Sequence, residues 1–175
     1  PTPGSNMRVK IGATKEGKFT AAQAYIAFEA GYSAGSVIEA GAQCVFACYD
    51  IENGLVDGYD VVVNKPKSAA YRAPGSTHVA MATESVVDEI SKELGIDPVE
   101  LRLLNVAKEG TRRVDGPRYP RIGCVEVLEA LRDHPHYKTP LEGPNQGRGI
   151  AVGFWFNAGM QSSCSIAVNA DGSVT

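Results

Sequence analysis

Residues 7–12 (MRVKIG) alternate apolar and polar side chains, the pattern of a half-buried strand. Residues 14–18 (TKEGK) read as a turn, with Gly17 able to take a positive φ. Residues 19–29 are long and apolar, so the two runs predict a β-hairpin that the glycines at 31 and 35 break. Residues 36–47 are Ala-rich and predict a helix. Residues 49–58 read as a connector with two turn signals, Asn53-Gly54 and Asp57-Gly58, and residues 59–64 (YDVVVN) as a buried strand.

A sharp loop, YRAPGS, follows Ala69 and leads into the clearest helix of the chain. Val79, Thr83, Val86, Val87, Ile90 and Leu94 fall on one helical stripe, and Gly95 sits where a C-terminal cap belongs. A second helix starts at once: Asp97 suits the N-cap, Pro98 the first helical position, and Glu100 the third, as in a capping box. Leu101, Leu104 and Val106 supply its apolar contacts, and Gly110 is expected to end it. Residues 111–123 form an arginine-bearing polar loop with Pro117 and Pro120. Residues 125–132 predict a short helix with Leu128 and Leu131 facing inward, and residues 134–146 a linker. Residues 147–157 and 162–169 read as strands, the first with glycines at close-packed points. This order of elements predicts an α/β or mixed α+β domain over residues 7–133, then the first hairpin of a second domain over residues 147–175.

The length of 175 residues fits one domain or slightly more, large enough to bury a core without disulfides or metal. A net charge of −3 leaves no basic excess for a general polyanion or nucleic-acid binder. No apolar run reaches the roughly 20 residues of a membrane helix. Residues 1–6 (PTPGSN) have neither the basic nor the apolar region of a signal peptide, and read as a linker or cloning scar. Asp171-Gly172 is a hairpin turn signal close to Thr175, which suggests an internal fragment of a longer protein.

Few residues offer chemistry. Cys44 and Cys48 enclose apolar Val45, Phe46 and Ala47; with Cys124 and Cys164 they read as small buried hydrophobes rather than metal ligands, reduced in a cytoplasmic setting. Glu84 and Asp88 share a helix face, and His78 opens the same helix. His134 and His136 lack the partners a metal site needs. Gly147, Gly149 and Gly153 lie at the start of and inside a strand, so they do not make a dinucleotide fingerprint. The loop at residues 70–76 carries more. Arg72 lies between a strand and a helix N-terminus, and Pro74-Gly75 forces a turn that bares main-chain amides. Either the guanidinium and amides form an anion site, or Arg72 ties the loop to Glu84 or Asp88.

The stretch 61–110 resembles the molybdenum-binding large subunit of the xanthine dehydrogenase and aldehyde oxidase family. The residues that carry the resemblance are Asn64, Tyr71-Arg72, Glu84-Ser85, Asp88-Glu89, Gly95-Ile96-Asp97-Pro98 and the Arg102-to-Asn105 helix. The hairpin KIGATKEGKFTAAQA and the block GRGIAVGFWFNAGMQSSCSIAVNADGSV are similar to that family in the same order. The resemblance implies a piece of the molybdopterin-binding domain of a molybdenum hydroxylase. Such enzymes oxidise an aldehyde or N-heterocycle with a water-derived oxygen and pass electrons through [2Fe-2S] clusters to FAD on partner domains or subunits.

By the same resemblance Arg72 faces the molybdenum–molybdopterin cofactor, and Ala73 and Pro74 line the substrate pocket. Pro74 replaces the aromatic that stacks on purines, and Ala73 replaces the cysteine that carries copper in carbon monoxide dehydrogenases. The arginine that positions purine falls near Ala40 and is absent. The general base is expected beyond Thr175, so the fragment has no catalytic residue of its own, binds no cofactor alone and is inactive by itself. The competing expectation is a non-catalytic scaffold or assembly module on the same fold.

Overall fold

The expected hairpin forms: β1 (Ser5–Ala13) pairs antiparallel with β2 (Phe19–Gly31), with Met7 opposite Ile26 and Val9 opposite Ala24. Gly17 closes the turn at φ 90°. The computed structural model describes residues 1–155 and 163–175. β1 starts ahead of the alternation that predicts it. Ser5 and Asn6 pair with Phe28 and Ala27, the Gly4 carbonyl accepts from the Glu29 amide at 2.9 Å, and Pro3 is buried. Residues 1–6, read as a linker, therefore run along the sheet.

A crossover through α1 (Ile38–Cys44) brings β3 (Asn53–Val62) parallel to β2, giving the sheet order β1-β2-β3. This corrects two expectations. The strand begins at Asn53, not at residue 59, and it is an exposed edge rather than a buried strand: Leu55, Tyr59 and Val62 are each at least half exposed. The supposed turn glycines lie inside the strand because neighbours occupy their Cβ positions. A Cβ on Gly54 would meet Val114 Cγ2 at 2.6 Å, and one on Gly58 would meet Ile38 Cγ1 at 3.3 Å.

The inner face of β2 presents Ala22, Ala24, Ile26 and Phe28 to α2 (Ser76–Leu94), whose Val79 and Val87 are fully buried. Val86, Ile90 and Leu94 of the predicted stripe are half-buried. Gly95 caps α2 in the left-handed region at φ 65°. Asp97 caps α3 (Pro98–Asn105), its Oδ1 accepting from the Val99 amide at 2.8 Å and the Glu100 amide at 3.2 Å. The reciprocal half of the capping box is absent among the described residues, because Glu100 turns to Arg132 at 3.7 Å. α3 ends at Asn105 rather than at Gly110, since Val106 becomes extended and bridges to Tyr49. Asn105 then locks the hairpin turn: its Nδ2 donates to the Gly17 carbonyl and its Oδ1 accepts from the Phe19 amide, each at 2.8 Å.

α4 (Cys124–Asp133) buries Leu128 but leaves Leu131 38% exposed. The expected linker contains a single helical turn, α5 (Pro135–Lys138), strapped down by Tyr137, whose hydroxyl donates to the Asp97 carboxylate at 2.8 Å. Arg148 holds the strap from the other side, donating to the carbonyls of Tyr137 and Thr139 at 2.6 Å.

Residues 147–155 form no regular secondary structure and join no sheet among the described residues, and Phe156 and Asn157 of that predicted strand lie outside the described residues. Side chains satisfy the main chain there in place of a strand partner. The Val152 amide donates to Glu84 Oε2 at 2.9 Å, the Ile150 carbonyl accepts from Arg102 Nη2 at 3.0 Å, and the Phe154 carbonyl accepts from Ser76 Oγ at 2.5 Å. The glycines at 147, 149 and 153 face open space among the described residues, not the close packing expected. Ser162 also lies outside the described residues. The last expected strand reduces to a small exposed hairpin, with a Val168–Val174 bridge around the predicted Asp171-Gly172 turn.

Arg102 sits at the junction of these parts, fully buried, with Nε 2.9 Å from Glu84 Oε2 and Nη2 2.8 Å from Asp88 Oδ1. Tyr49 completes the cluster, its hydroxyl donating to Glu84 Oε1 at 2.5 Å. Burial and the adjoining Glu84 carboxylate push the Tyr49 phenol far above its ordinary range. Arg102→Ala strands a buried carboxylate and is expected to cost about 3–5 kcal/mol, read as a lower midpoint in urea.

Partial burial and the hydrogen bond to Asp97 push the Tyr137 phenol up to about 12. An unfolded tyrosine titrates near about 10, so this contact stabilises fully below that pH and is lost as pH rises through the folded value. The stability gap between the native chain and Tyr137→Phe should therefore close across that alkaline interval in pH-dependent urea unfolding.

Candidate functional site

The loop that enters α2 is held from below by backbone fit. Gly75, the N-cap residue, takes φ 78°, and a Cβ there would meet the Val37 carbonyl oxygen at 2.7 Å and the Gly41 nitrogen at 2.9 Å. No alanine fits that contact with α1. The price of such a tight turn appears two residues earlier. Ala73 has φ 55°, the one non-glycine residue in the left-handed region among the described residues, where a Cβ crowds the carbonyl. The Ser76 amide donates to the Ala73 carbonyl at 3.1 Å and fixes the bend.

This bend pushes Tyr71 and Arg72 outward. Tyr71 is 75% exposed, and Arg72 is exposed with no hydrogen bond or ion pair among the described residues. Pro74 is half-buried beside it. Among the described residues no side chain caps the first turn of α2, which leaves the positive end of its dipole without a side-chain counter-charge there. His78 packs on Phe28 with ring centroids 5.1 Å apart, and its Nδ1 is buried with no partner among the described residues. Arg72, Pro74, Gly75 and His78 border a hollow of about 20 Å³, whose lining includes no carboxylate. One orphaned buried nitrogen, one unpaired guanidinium and one uncapped helix start make this corner suited to an anionic group. The hollow itself admits about one water, so it is the exposed Arg72 fork and the helix start that fit an anionic group of a molybdenum–pterin cofactor.

The alternative tie from Arg72 to Glu84 or Asp88 is not made. Arg102 takes both carboxylates, so neither is free for acid–base work at the loop. His134 and His136 are exposed, and His134 Nδ1 accepts from the His136 amide at 3.1 Å as a cap of α5. Among the described residues no cluster of His, Cys, Asp or Glu could hold a metal ion. Cys44 is buried and Cys48 and Cys124 half-buried, and burial raises all three thiol pKa values. Cys164 is exposed, contrary to the buried reading, because the terminal hairpin packs on nothing described.

Two central residues carry signals that the spacing analysis passed over. Arg102 lies inside an apolar helix stretch, LRLL, where a charge needs a partner. The inward placement of Glu84, on the stripe between Thr83 and Val87, names that partner. The strain at Ala73 has no sequence signal.

Residues 2–106 match the molybdopterin cofactor-binding domain family. Among curated relatives, the large molybdopterin subunit of nicotinate dehydrogenase from Eubacterium barkeri is 30% identical over 132 residues, covering 73% of this chain and 31% of the relative. The aldehyde oxidoreductase molybdenum-binding subunit PaoC of Escherichia coli O157:H7 is 30% identical over 187 residues, covering 99% of this chain and 24% of the relative. Among solved structures, the aldehyde oxidoreductase of Desulfovibrio gigas superposes with a TM-score of 0.70 at 26% identity, over 78% of this chain and 15% of that one. The chain thus spans no more than a third of the length of these relatives.

Ala73→Gly removes the left-handed penalty and is expected to raise stability by up to about 1 kcal/mol after the entropy of glycine is counted. Gly75→Ala should lower stability, because both its φ and the Val37 contact are incompatible with a side chain. Thermal melts of the two variants check the opposite signs.

Proposed function

Because the chain belongs to the molybdopterin cofactor-binding domain family, we propose that it works within the large subunit of a molybdenum hydroxylase that oxidises an aldehyde or an N-heterocycle. The mixed α/β fold agrees with that assignment, and the relatives named above are oxidoreductases rather than scaffolds. The supporting observation is the Arg72 guanidinium, without a partner among the described residues, beside a start of α2 that no described side chain caps, held outward by the strained Ala73 turn.

In this reading Arg72 holds the cofactor by charge-assisted hydrogen bonds, and Ala73 and Pro74 form the adjoining wall of the substrate pocket. When bound, the molybdenum–pterin group supplies the two-electron redox centre for water-derived hydroxylation. Ala73 offers no thiol for a second metal, and Pro74 offers no aromatic face, so the wall favours small aldehydes or non-purine rings. His78 keeps the loop seated on Phe28. The hollow by Arg72 has no lining carboxylate, so proton abstraction needs a base from outside this loop. The chain alone is then inactive. Residues 147–175 begin a second molybdopterin-binding unit, with Val152 and Phe154 anchoring it to the core of the first. Iron–sulfur and flavin domains or subunits take the electrons, and the assembly works in the cytoplasm. Among the described residues no helix is long and apolar enough to cross a membrane.

Arg72→Ala in the intact molybdenum subunit is expected to lower bound molybdenum and pterin per chain, and aldehyde turnover, by roughly tenfold or more. Full cofactor content and full turnover in that variant would refute the assignment. Turnover of benzaldehyde or nicotinate by the isolated 175-residue chain would refute its inactivity.

A further inference from the structure

The apolar stripe of α2 overhangs the sheet. Val79 and Val87 are fully buried, but Val86, Ile90 and Leu94 of the same stripe are half-buried. These three share a groove of about 860 Å³ with Val9 and Ile11 of β1. β1 is an edge strand, and among the described residues no strand lies beyond it to cover them.

The main chain of this edge is open as well. The Gly4 carbonyl accepts from the Glu29 amide at 2.9 Å, so that pair belongs to the hydrogen-bonded class. The two classes alternate along an antiparallel ladder. Asn6, Arg8 and Lys10 therefore bond to β2, and the N–H and C=O groups of Ser5, Met7, Val9 and Ile11 turn to the open side. A row of outward groups beside an apolar groove is a template for one more strand.

The side chains state what kind of strand. Met7, Val9 and Ile11 pack on the core side, whereas Arg8 and Lys10 are exposed on the other face. The Arg8 guanidinium rests 5.9 Å from the Tyr25 ring centroid, and Lys10 has no polar partner among the described residues. A second copy of this edge fits poorly: antiparallel pairing about Val9 sets each Arg8 against the Lys10 of the other copy, and like charges across a ladder repel. A strand with apolar residues on one face and acids on the other suits both sides of the edge.

We propose that the β1 edge and the flank of α2 receive such a strand from the rest of the same molybdenum subunit. This rests on the reading of the chain as part of that subunit, since it spans no more than a third of the relatives it matches. The apolar side chains of the added strand fill the groove against Val86, Ile90 and Leu94. Its main chain takes up the outward groups of β1, and its carboxylates meet Arg8 and Lys10.

Residue-resolved hydrogen exchange on the intact molybdenum subunit tests this. The amides of Met7, Val9 and Ile11 are expected to exchange within about tenfold of those of Asn6, Arg8 and Lys10. A larger excess at the outward amides would overturn the proposal. Arg8→Glu/Lys10→Glu should speed exchange at Met7, Val9 and Ile11 by about tenfold and leave Asn6 unchanged, whereas Arg8→Lys/Lys10→Arg should alter neither. Equal exchange in the two variants would count against the acidic strand. Carbodiimide joins an amine to a carboxylate in contact with it. In the native subunit it should link Lys10 to an Asp or Glu of the same polypeptide outside these 175 residues. A link to a second copy, or to an iron–sulfur or flavin partner, would give the groove to that chain and sink the proposal. Molybdenum content of the same sample tests the hydroxylase reading separately: a metal-free subunit with slow Met7, Val9 and Ile11 amides would fail that reading and keep the strand.

Discussion

A guanidinium with no solvent contact must find its counter-charges inside the protein, and that requirement organises this fold. Arg102 is fully buried, and Glu84 meets it from the next helix. Glu84 is in turn satisfied by Tyr49 after α1 and by the Val152 amide from the returning chain. Four separated stretches therefore share one polar knot. Loss of any member leaves another buried without a partner, which costs more than the pair contributes in isolation. Such a knot specifies one arrangement of α2 against α3 where apolar packing alone would tolerate sliding.

The knot and the Arg72 loop lie on the same helix. Glu84 fixes the middle of α2, Gly95 and Asp97 fix its C-terminal exit, and Gly75 fixes its entry against α1. The Arg72 corner is thus anchored along a rigid rod whose position is set elsewhere. This separation lets a strained residue such as Ala73 persist, because the supports on both sides outweigh its conformational cost. The Phe154 carbonyl, bound by Ser76, brings the returning chain to the same helix entry.

Sequence reading reached the hairpin, α2 and the capped start of α3 because each rests on local rules: alternation, a helical stripe, and Asp-Pro at a helix entry. It also reached the Arg72 loop, through strand, turn and helix order, before the family resemblance was drawn. It failed where partners far along the chain decide. Gly54 and Gly58 signal turns in isolation, yet Val114 and Ile38 make them strand residues. YDVVVN looks like an interior strand, yet no neighbour lies on its outer side among the described residues. Residues 147–155 look like a strand, yet Glu84, Arg102 and Ser76 replace the ladder. Arg102 took the carboxylates that Arg72 had been offered.

The parallel pairing of β3 has a bearing on how the chain assembles. β1 and β2 meet through a short turn and can zip locally, whereas β3 must wait for the whole α1 crossover to be laid down. The outer strand therefore joins late and is held from one side alone. Closing the crossover costs more chain entropy than closing the short hairpin turn, so pairing along this flank of β2 carries the larger topological cost of the sheet.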